Sequence, residues 1–384
     1  MPRLLLITER FPPDIGGLAS SAERITKTLC QMGVEVDVMA WSRYLQPGEV
    51  LLPNLTPVDN TPCLYRVGLY RHWDMTMPHT LNILEWLYHS RNYTAIWGHY
   101  LFPSGFLATW FAKLNGIPST VSARGNDIDR AMFPPGDFAH LQWTLSNANV
   151  VTTVSADMAR KIQLLAQRDD VLILKNAVDG EVFSPATQKS DFRKSLGIAE
   201  DEIVLGFAGE LREKKGQKFL LNALKKVNEQ YPACLLIIGE VRTSEAAALQ
   251  IYTLEHPELH VIVTGHLPHP TNVARHLQLC DFYLQPSLWD GMPNALLEAM
   301  ACGCCCIASD AGGIPEAIAH GESGFLLPRS HLHRLGEAVL ECLEQPAICR
   351  QIGMAARDRV LTDFSLEMEK LRLQTVINRL MPRF

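Results

Sequence analysis

Short, wholly apolar runs alternate along this chain with longer segments in which apolar residues recur every three or four positions. The first run, "RLLLIT" at residues 3–8, has no polar alternation, which predicts a strand buried on both faces. After a Pro-Gly loop, "SAERITKTLCQMG" has helical periodicity, and Gly33 ends it before a second strand, "VEVDVMA". Further strands are predicted at "AIWGH", "IPSTVS", "NVVTTVS" and "VLILKN", with helices such as "SGFLATWFAKLNG" between them. Repeated strand, helix, strand units build an open, mostly parallel α/β sheet.

The polar stretch "VDGEVFSPATQKSDFRKSLGIAEDE" interrupts this pattern, and the alternation restarts at the buried strand "IVLGFAG". Helix "GQKFLLNALKKVNEQ", strands "ACLLIIGE", "HVIVTG" and "DFYLQPS", helix "NALLEAMACG", strand "CCIASD" and helix "GIPEAIAHG" follow. The chain thus divides into a Rossmann-like domain over 1–190, a second over 191–362, and a terminal helix over 363–384. That helix, near "DFSLEMEKLRLQTVINRL", follows no new strand and is expected to pack back on the first domain. Two such domains in tandem predict an interdomain cleft, with ligands near the carboxyl ends of the strands.

Composition narrows the function. At 384 residues the chain is long enough for two cores. Its formal charge of -6 divides into 16 basic against 17 acidic residues up to position 190 and 19 against 24 beyond it. No basic stripe follows, which argues against a nucleic-acid partner. The apolar run at the start is too short for a signal peptide, and no segment has the length of a membrane span, so a cytoplasmic protein is expected, with peripheral contact at the inner face of a membrane left open. Of ten cysteines, four fall in "CGCCC", at Cys302, Cys304, Cys305 and Cys306. Neighbours in sequence do not converge on a metal, and the flanks carry no histidine, so these read as small apolar residues between a helix and a strand.

Candidate chemistry gathers in the turns that follow strands. In "SLWDGMPNALLEAMACG", Asp290, Gly291, Met292 and Pro293 make a turn that cannot be helical, while the segment from Asn294 is rich in helix formers. Pro293 suits a first helical position, Asp290 lies beside the helix's positive end, and Glu298 falls about a turn and a half inside, an arrangement suited to an anion or to polar groups around one. Gly16 and Gly17 in "TERFPPDIGGLASSAERI" permit close backbone approach to phosphate or sugar, without forming a dinucleotide fingerprint. His99 closes "AIWGH" and is as readily structural as functional. Arg124 and Asp127 in "SARGNDID" suit an anion and a hydroxyl, or else an internal salt bridge. "FAGELREKKGQKF" presents Arg212 and Lys215 as a cationic pair for a diphosphate, with Lys214 expected to point outward. Gly312 and Gly313 in "SDAGGIPEAIAHGESGFLL" form a third turn whose amides can meet sugar or phosphate oxygens. Trp73, Trp86 and Tyr88 are core residues or acceptor contacts.

In order and spacing, "FPPDIGG", "NAVDGEVFSP", "GELREKKG", "SLWDGMPNALLEAMACG", "SDAGGIPEAI" and "GESGFLL" resemble the retaining glycosyltransferases of family 4, over nearly the whole chain. The resemblance implies a GT-B fold with an acceptor-side first domain and a nucleotide-sugar second domain. It implies transfer from a UDP-sugar, or a GDP- or ADP-sugar, to a hydroxyl of a glycan, glycoside or lipid-linked acceptor, with no tightly bound cofactor and no metal. Glu298 would accept from the ribose hydroxyls, and Asp290 would lie near the transferring sugar, where the family commonly has Glu. Glu210 stands where an arginine is often found and is expected to point away from the diphosphate, with Arg212 supplying the charge. Arg124 stands where many relatives have a histidine. A noncatalytic nucleotide-sugar-binding subunit and a sugar-nucleotide epimerase are the alternatives.

Overall fold

The computed structural model describes residues 2–53, 61–125, 127–186 and 190–382. Asn126 of "SARGND" and residues 187–189 of the polar stretch lie outside them. The chain forms two compact units, Met1–Lys175 with Glu369–Phe384, and Asn176–Met368.

The first unit is an eight-stranded sheet of β1 (Arg3–Thr8), β2 (Glu35–Ser42), β3 (Val50–Leu51), β4 (Cys63–Gly68), β5 (Ala95–His99), β6 (Ser119–Ala123), β7 (Val150–Thr153) and β8 (Leu172–Ile173). Spatially the order is β3-β4-β2-β1-β5-β6-β7-β8, parallel except for β3 on β4. The unbroken apolar character of β1 has a direct cause. Leu4 and Leu6 pack with Ala22, Ile25 and Leu29 of helix Gly17–Gln31, while Leu5 and Ile7 point the other way onto Leu84, Leu107 and Phe111. Period-two alternation thus puts apolar side chains on both faces, each burial stabilising by about 1.5–3 kcal/mol. The terminal helix Leu366–Leu380 docks on the Leu4 face through Leu373, Val376, Ile377 and Leu380, packing on the first unit as its sequence implies.

The second unit is a six-stranded parallel sheet of β9 (Ile203–Ala208), β10 (Ala233–Ile238), β11 (His260–Val263), β12 (Phe282–Gln285), β13 (Cys305–Ser309) and β14 (Phe325–Leu327), in the order β11-β10-β9-β12-β13-β14.

Several elements differ from the sequence reading. "VLILKN" pairs only over Leu172–Ile173, and beyond it Asn176 clusters with the second unit, where its Nδ2 donates to the Met292 carbonyl at 2.7 Å. Residues 176–186 follow it, and Arg357 donates to the carbonyls of Gly180 and Phe183. "GIPEAIAHG" is helical only over Ile314–Ala317. The aromatic stretch after Leu69 is a helix, Trp73–Arg91. Trp73 and Trp86 are partly exposed and stand edge-on to Trp41 and Tyr65, while Tyr88 meets Phe111.

Candidate functional site

Each sheet has one place where consecutive connections leave in opposite directions. In the second unit the chain runs outward from β9 through β10 to β11, then returns to lay β12 on the other side of β9. The loops after β9 and β12 therefore diverge at the carboxyl edge, the position at which open α/β sheets bind ligands. These are the loops that carry "GELREKKG" and "SLWDGMP".

Three turns interlock there. Leu288 N donates to the Lys214 carbonyl at 2.8 Å, joining the loops after β9 and β12. Gly313 N donates to the Gly291 carbonyl at 2.7 Å, and Ser309 Oγ to the Ser287 carbonyl at 2.6 Å, joining the loops after β12 and β13. Gly312 has φ +52°, and a Cβ there would lie 1.7 Å from the Asp290 carbonyl oxygen. Gly216 has φ +79°, and a Cβ would come within 2.2 Å of the Pro286 carbonyl oxygen. Only glycine permits both the backbone conformation and the approach.

Within this frame Lys215 Nζ forms an ion pair with Asp290 Oδ2, and both side chains are mostly buried. Asp290 also accepts from Gly291 N at 3.1 Å and from Ser287 Oγ at 3.4 Å. Burial alone would push the Asp290 carboxyl up, but the charges of Lys215 and Lys214 outweigh it and hold it below the usual carboxylate range. Lys214 does not point outward as its sequence suggests. It is half-buried, burial lowers its pKa, and Asp290 acts against that lowering. Arg212 Nε lies 2.7 Å from Glu210 Oε2, and Arg242 donates to Glu210 Oε1 at 3.1 Å. Glu210 thus binds the cation expected to compensate for it, which leaves Lys214 and Lys215 as the cations grouped around Asp290.

Helix Asn294–Ala301 starts one residue later than Pro293 alone implies, with Pro293 as its extended flanking residue. Asn294 Oδ1 is buried and has no hydrogen-bond partner among the described residues. Glu298 is half-buried in the second turn, and after burial and a neighbouring cysteine its charge adds to the raised pKa of both Tyr283 and Cys302. Met292 is buried, its carbonyl held by Asn176. Asn176 was legible only as part of "NAVDGEVFSP", because its partner lies 116 residues away.

In the first unit the corresponding switch falls between β1 and β5. Gly16 precedes helix Gly17–Gln31, and Gly17 opens it. His99, the last residue of β5, is fully buried and hydrogen-bonds through Nε2 with Ser21 Oγ at 2.9 Å, while Nδ1 has no partner among the described residues. Burial, then the charges of Arg124 and Arg24, hold His99 well below its ordinary pKa, so the ring is neutral. Arg124 follows β6, is buried, and donates through Nη1 to the Leu174 carbonyl at 3.3 Å. Burial and Arg24 lower its pKa to about 10, against the opposing pull of Glu369. Among the described residues Asp127 makes no ion pair with the Arg124 guanidinium. It accepts from the amides of Arg124 at 3.2 Å and Gly125 at 3.1 Å, and burial raises its pKa to about 6 in spite of them. Behind this group Arg24 Nε donates to both oxygens of the buried Glu369, at 3.0 and 2.9 Å.

The families described as "Glycosyl transferase 4-like domain" and "Glycosyl transferases group 1" match residues 16–177 and 188–359. The N-acetyl-alpha-D-glucosaminyl L-malate synthase of Bacillus anthracis is 25% identical, over 95% of this chain and 94% of its own. The GDP-mannose-dependent monoacylated alpha-(1-6)-phosphatidylinositol monomannoside mannosyltransferase of Corynebacterium glutamicum is also 25% identical, over 98% and 97%. Among solved structures, Anabaena HepE in complex with UDP and glucose superposes with a TM-score of 0.81 at 16% identity, over 98% of this chain and 100% of that one. Among the described residues no helix is long and apolar enough to cross a membrane. With one family matched in each half and a shared two-sheet architecture over nearly its full length, the chain is a GT-B-fold glycosyltransferase related to the glycosyl transferase 4-like family.

Proposed function

We propose that this chain transfers a hexosyl group from a nucleotide diphosphate sugar to a hydroxyl of a glycan, glycoside or lipid-linked acceptor, with retention of anomeric configuration. A UDP-sugar is the favoured donor, with GDP- and ADP-sugars as alternatives. The observation that carries the reading is the Lys215–Asp290 pair, fixed by three interlocked turns at the switch point of the second sheet.

The chemistry follows from charge. As the anomeric carbon–oxygen bond breaks, negative charge grows on the diphosphate, and Lys215, Lys214 and the first-turn amides of helix Asn294–Ala301 stabilise it. Asp290, held ionised, is an acceptor for hydroxyls of the transferring sugar. Glu298 accepts from the ribose hydroxyls, while Gly312 and Gly313 let the backbone approach the donor. In the first unit the neutral His99, Arg124 and Asp127 contact sugar or acceptor hydroxyls, and Gly16 and Gly17 allow close approach of the loop after β1. Arg124 remains protonated at neutral pH and is no base. The incoming hydroxyl therefore gives its proton to the departing phosphate oxygen as its own oxygen bonds to the anomeric carbon on the same face.

Calorimetric titration with UDP, GDP and ADP, repeated on Glu298→Ala, tests the donor site. One nucleotide should bind selectively, and the variant should weaken it by about 10–100-fold, the loss of charge-assisted hydrogen bonds. Binding of none, or unchanged binding in the variant, would overturn the assignment. The pairing of Arg212 with Glu210 favours a second reading, a noncatalytic nucleotide-sugar-binding subunit. Donor binding with neither hydrolysis nor transfer across an acceptor panel would select it, while conversion of the donor without any acceptor would select an epimerase.

A further inference from the structure

Cys305 begins β13, Cys342 lies in helix Leu335–Leu343, and Cys349 lies in helix Pro346–Asp363. All three are buried in the core of the second unit, and their Sγ atoms lie within 4.8 Å of one another. Three sulfurs bound to one cation at about 2.3 Å in a trigonal plane are about 4 Å apart, so these thiols need only a small contraction to share an ion. The adjacent cysteines of "CGCCC" turn to different partners. Cys304 Sγ donates to the Leu277 carbonyl and Cys306 Sγ to the Cys304 carbonyl, away from the trio. Cys305 alone leaves the run, to meet two residues far along the chain.

We propose that Cys305, Cys342 and Cys349 form a three-thiolate site for a soft d10 cation. Sulfur selects such cations over magnesium, calcium or manganese. Among the described residues no His, Asp or Glu joins the trio, and its apolar surroundings provide no aqueous fourth ligand. Structural zinc sites are almost always four-coordinate, so three-coordinate ions of the copper(I), cadmium or mercury type fit better. Binding replaces three S–H bonds by three metal–sulfur bonds and releases three protons, with no change of oxidation state. Cys349 Sγ donates to the Cys342 carbonyl at 3.2 Å, and when that proton leaves, the carbonyl still accepts from Gln345 N at 3.0 Å. The bound ion ties two helices to the start of β13, the strand that ends at Ser309 and leads into the Gly312 turn.

The test titrates the reduced full chain with Cd2+ at pH 7, both in the native state and during refolding from urea. The ultraviolet sulfur-to-metal charge-transfer band and proton release are followed together. One equivalent of Cd2+ and three protons are expected in at least one arm, with a raised Tm for the loaded protein. Cys342→Ser should abolish the band, and Cys349→Ser should weaken binding by at least about 100-fold, with far-ultraviolet circular dichroism checking that each variant folds. Cys302→Ser and Cys234→Ser should bind as the parent does. Cys234 controls for the other cluster, Glu202, Cys234 and His260, where Glu202 already accepts from His260 Nδ1 at 2.8 Å and from Ala199 N at 2.7 Å. No band in either arm, a band unchanged in Cys349→Ser, or loss of binding in Cys234→Ser would each overturn the proposal.

Discussion

The switch points of the two sheets have the same topology and opposite electrostatics. At β9 and β12 a buried carboxylate is held ionised by two lysines, and the surrounding turns are tied by backbone hydrogen bonds. At β1 and β5 burial is the stronger influence. His99 is driven neutral, Arg124 is lowered to about 10, and Asp127 is raised to about 6. Equal burial therefore does not mean equal chemistry. What decides is whether an opposite charge is fixed within a few ångströms before a ligand arrives. Two lysines fixed around an ionised carboxylate suit a diphosphate, while a neutral imidazole beside a buried Arg124 and Asp127 suits hydroxyls.

The sharpest way to break this contrast is to remove the cation that maintains it. Lys215→Ala should lower kcat/KM by about 10³-fold through loss of leaving-group stabilisation. It should also destabilise the second unit by about 3 kcal/mol, because Asp290 stays buried with a partner missing. Steady-state kinetics and urea unfolding measure the two effects, and unchanged kinetics would remove Lys215 from the site.

The backbone lock comes next. Gly312→Ala should cost about 3 kcal/mol, combining left-handed strain with collision against the Asp290 carbonyl. Gly125→Ala, where an added Cβ meets nothing within 4 Å, should stay within about 0.5 kcal/mol. Similar losses for both would show that the interlocking of the turns is not what distinguishes the second site.

A pH series separates the two carboxylates by sign. Asp127 is raised in the folded state, so its contribution to stability is fully present below about pH 4 and is lost as pH rises through about 6, a fall of about 3 kcal/mol. Asp290 is lowered, so its contribution is present above the ordinary carboxylate pKa and is lost as pH falls through the depressed value. Stability curves for Asp127→Asn and Asp290→Asn, each subtracted from the parent, should slope in opposite directions, and parallel slopes would end the contrast. A smaller loss than that at Gly312 is expected for Ser21→Ala, which removes the hydroxyl facing His99 Nε2 and should cost about 1–2 kcal/mol by thermal unfolding.

Much of the fold was legible because its signals are local. The centres of "RLLLIT" and "IVLGFAG" are apolar because both faces of their strands are covered, and "DGMP" and "DAGG" are turns because proline and glycine leave few alternatives. Legibility failed where a short pattern competes with turn chemistry. "VLILKN" looks like a full strand, yet only two of its residues pair before Asn176 leaves for the second unit. In the candidate site, type and spacing named the residues of the three turns, but neither the half-burial of Lys214 nor the grip of Glu210 on Arg212 was legible. Charge on a loop does not reveal which partner it will meet.

Most of the central strands, the glycines at their ends and the two acids eight residues apart belong to the sequence by itself, since periodicity and backbone freedom are properties of neighbouring residues. Tertiary structure alone decided that Asn176 holds the Met292 carbonyl, that Cys305 meets Cys342 and Cys349, that Asp290 stays ionised, and that His99 is neutral. Ionisation and convergence depend on desolvation and on distances of a few ångströms between residues remote in the chain, and those distances exist only once the sheets have assembled.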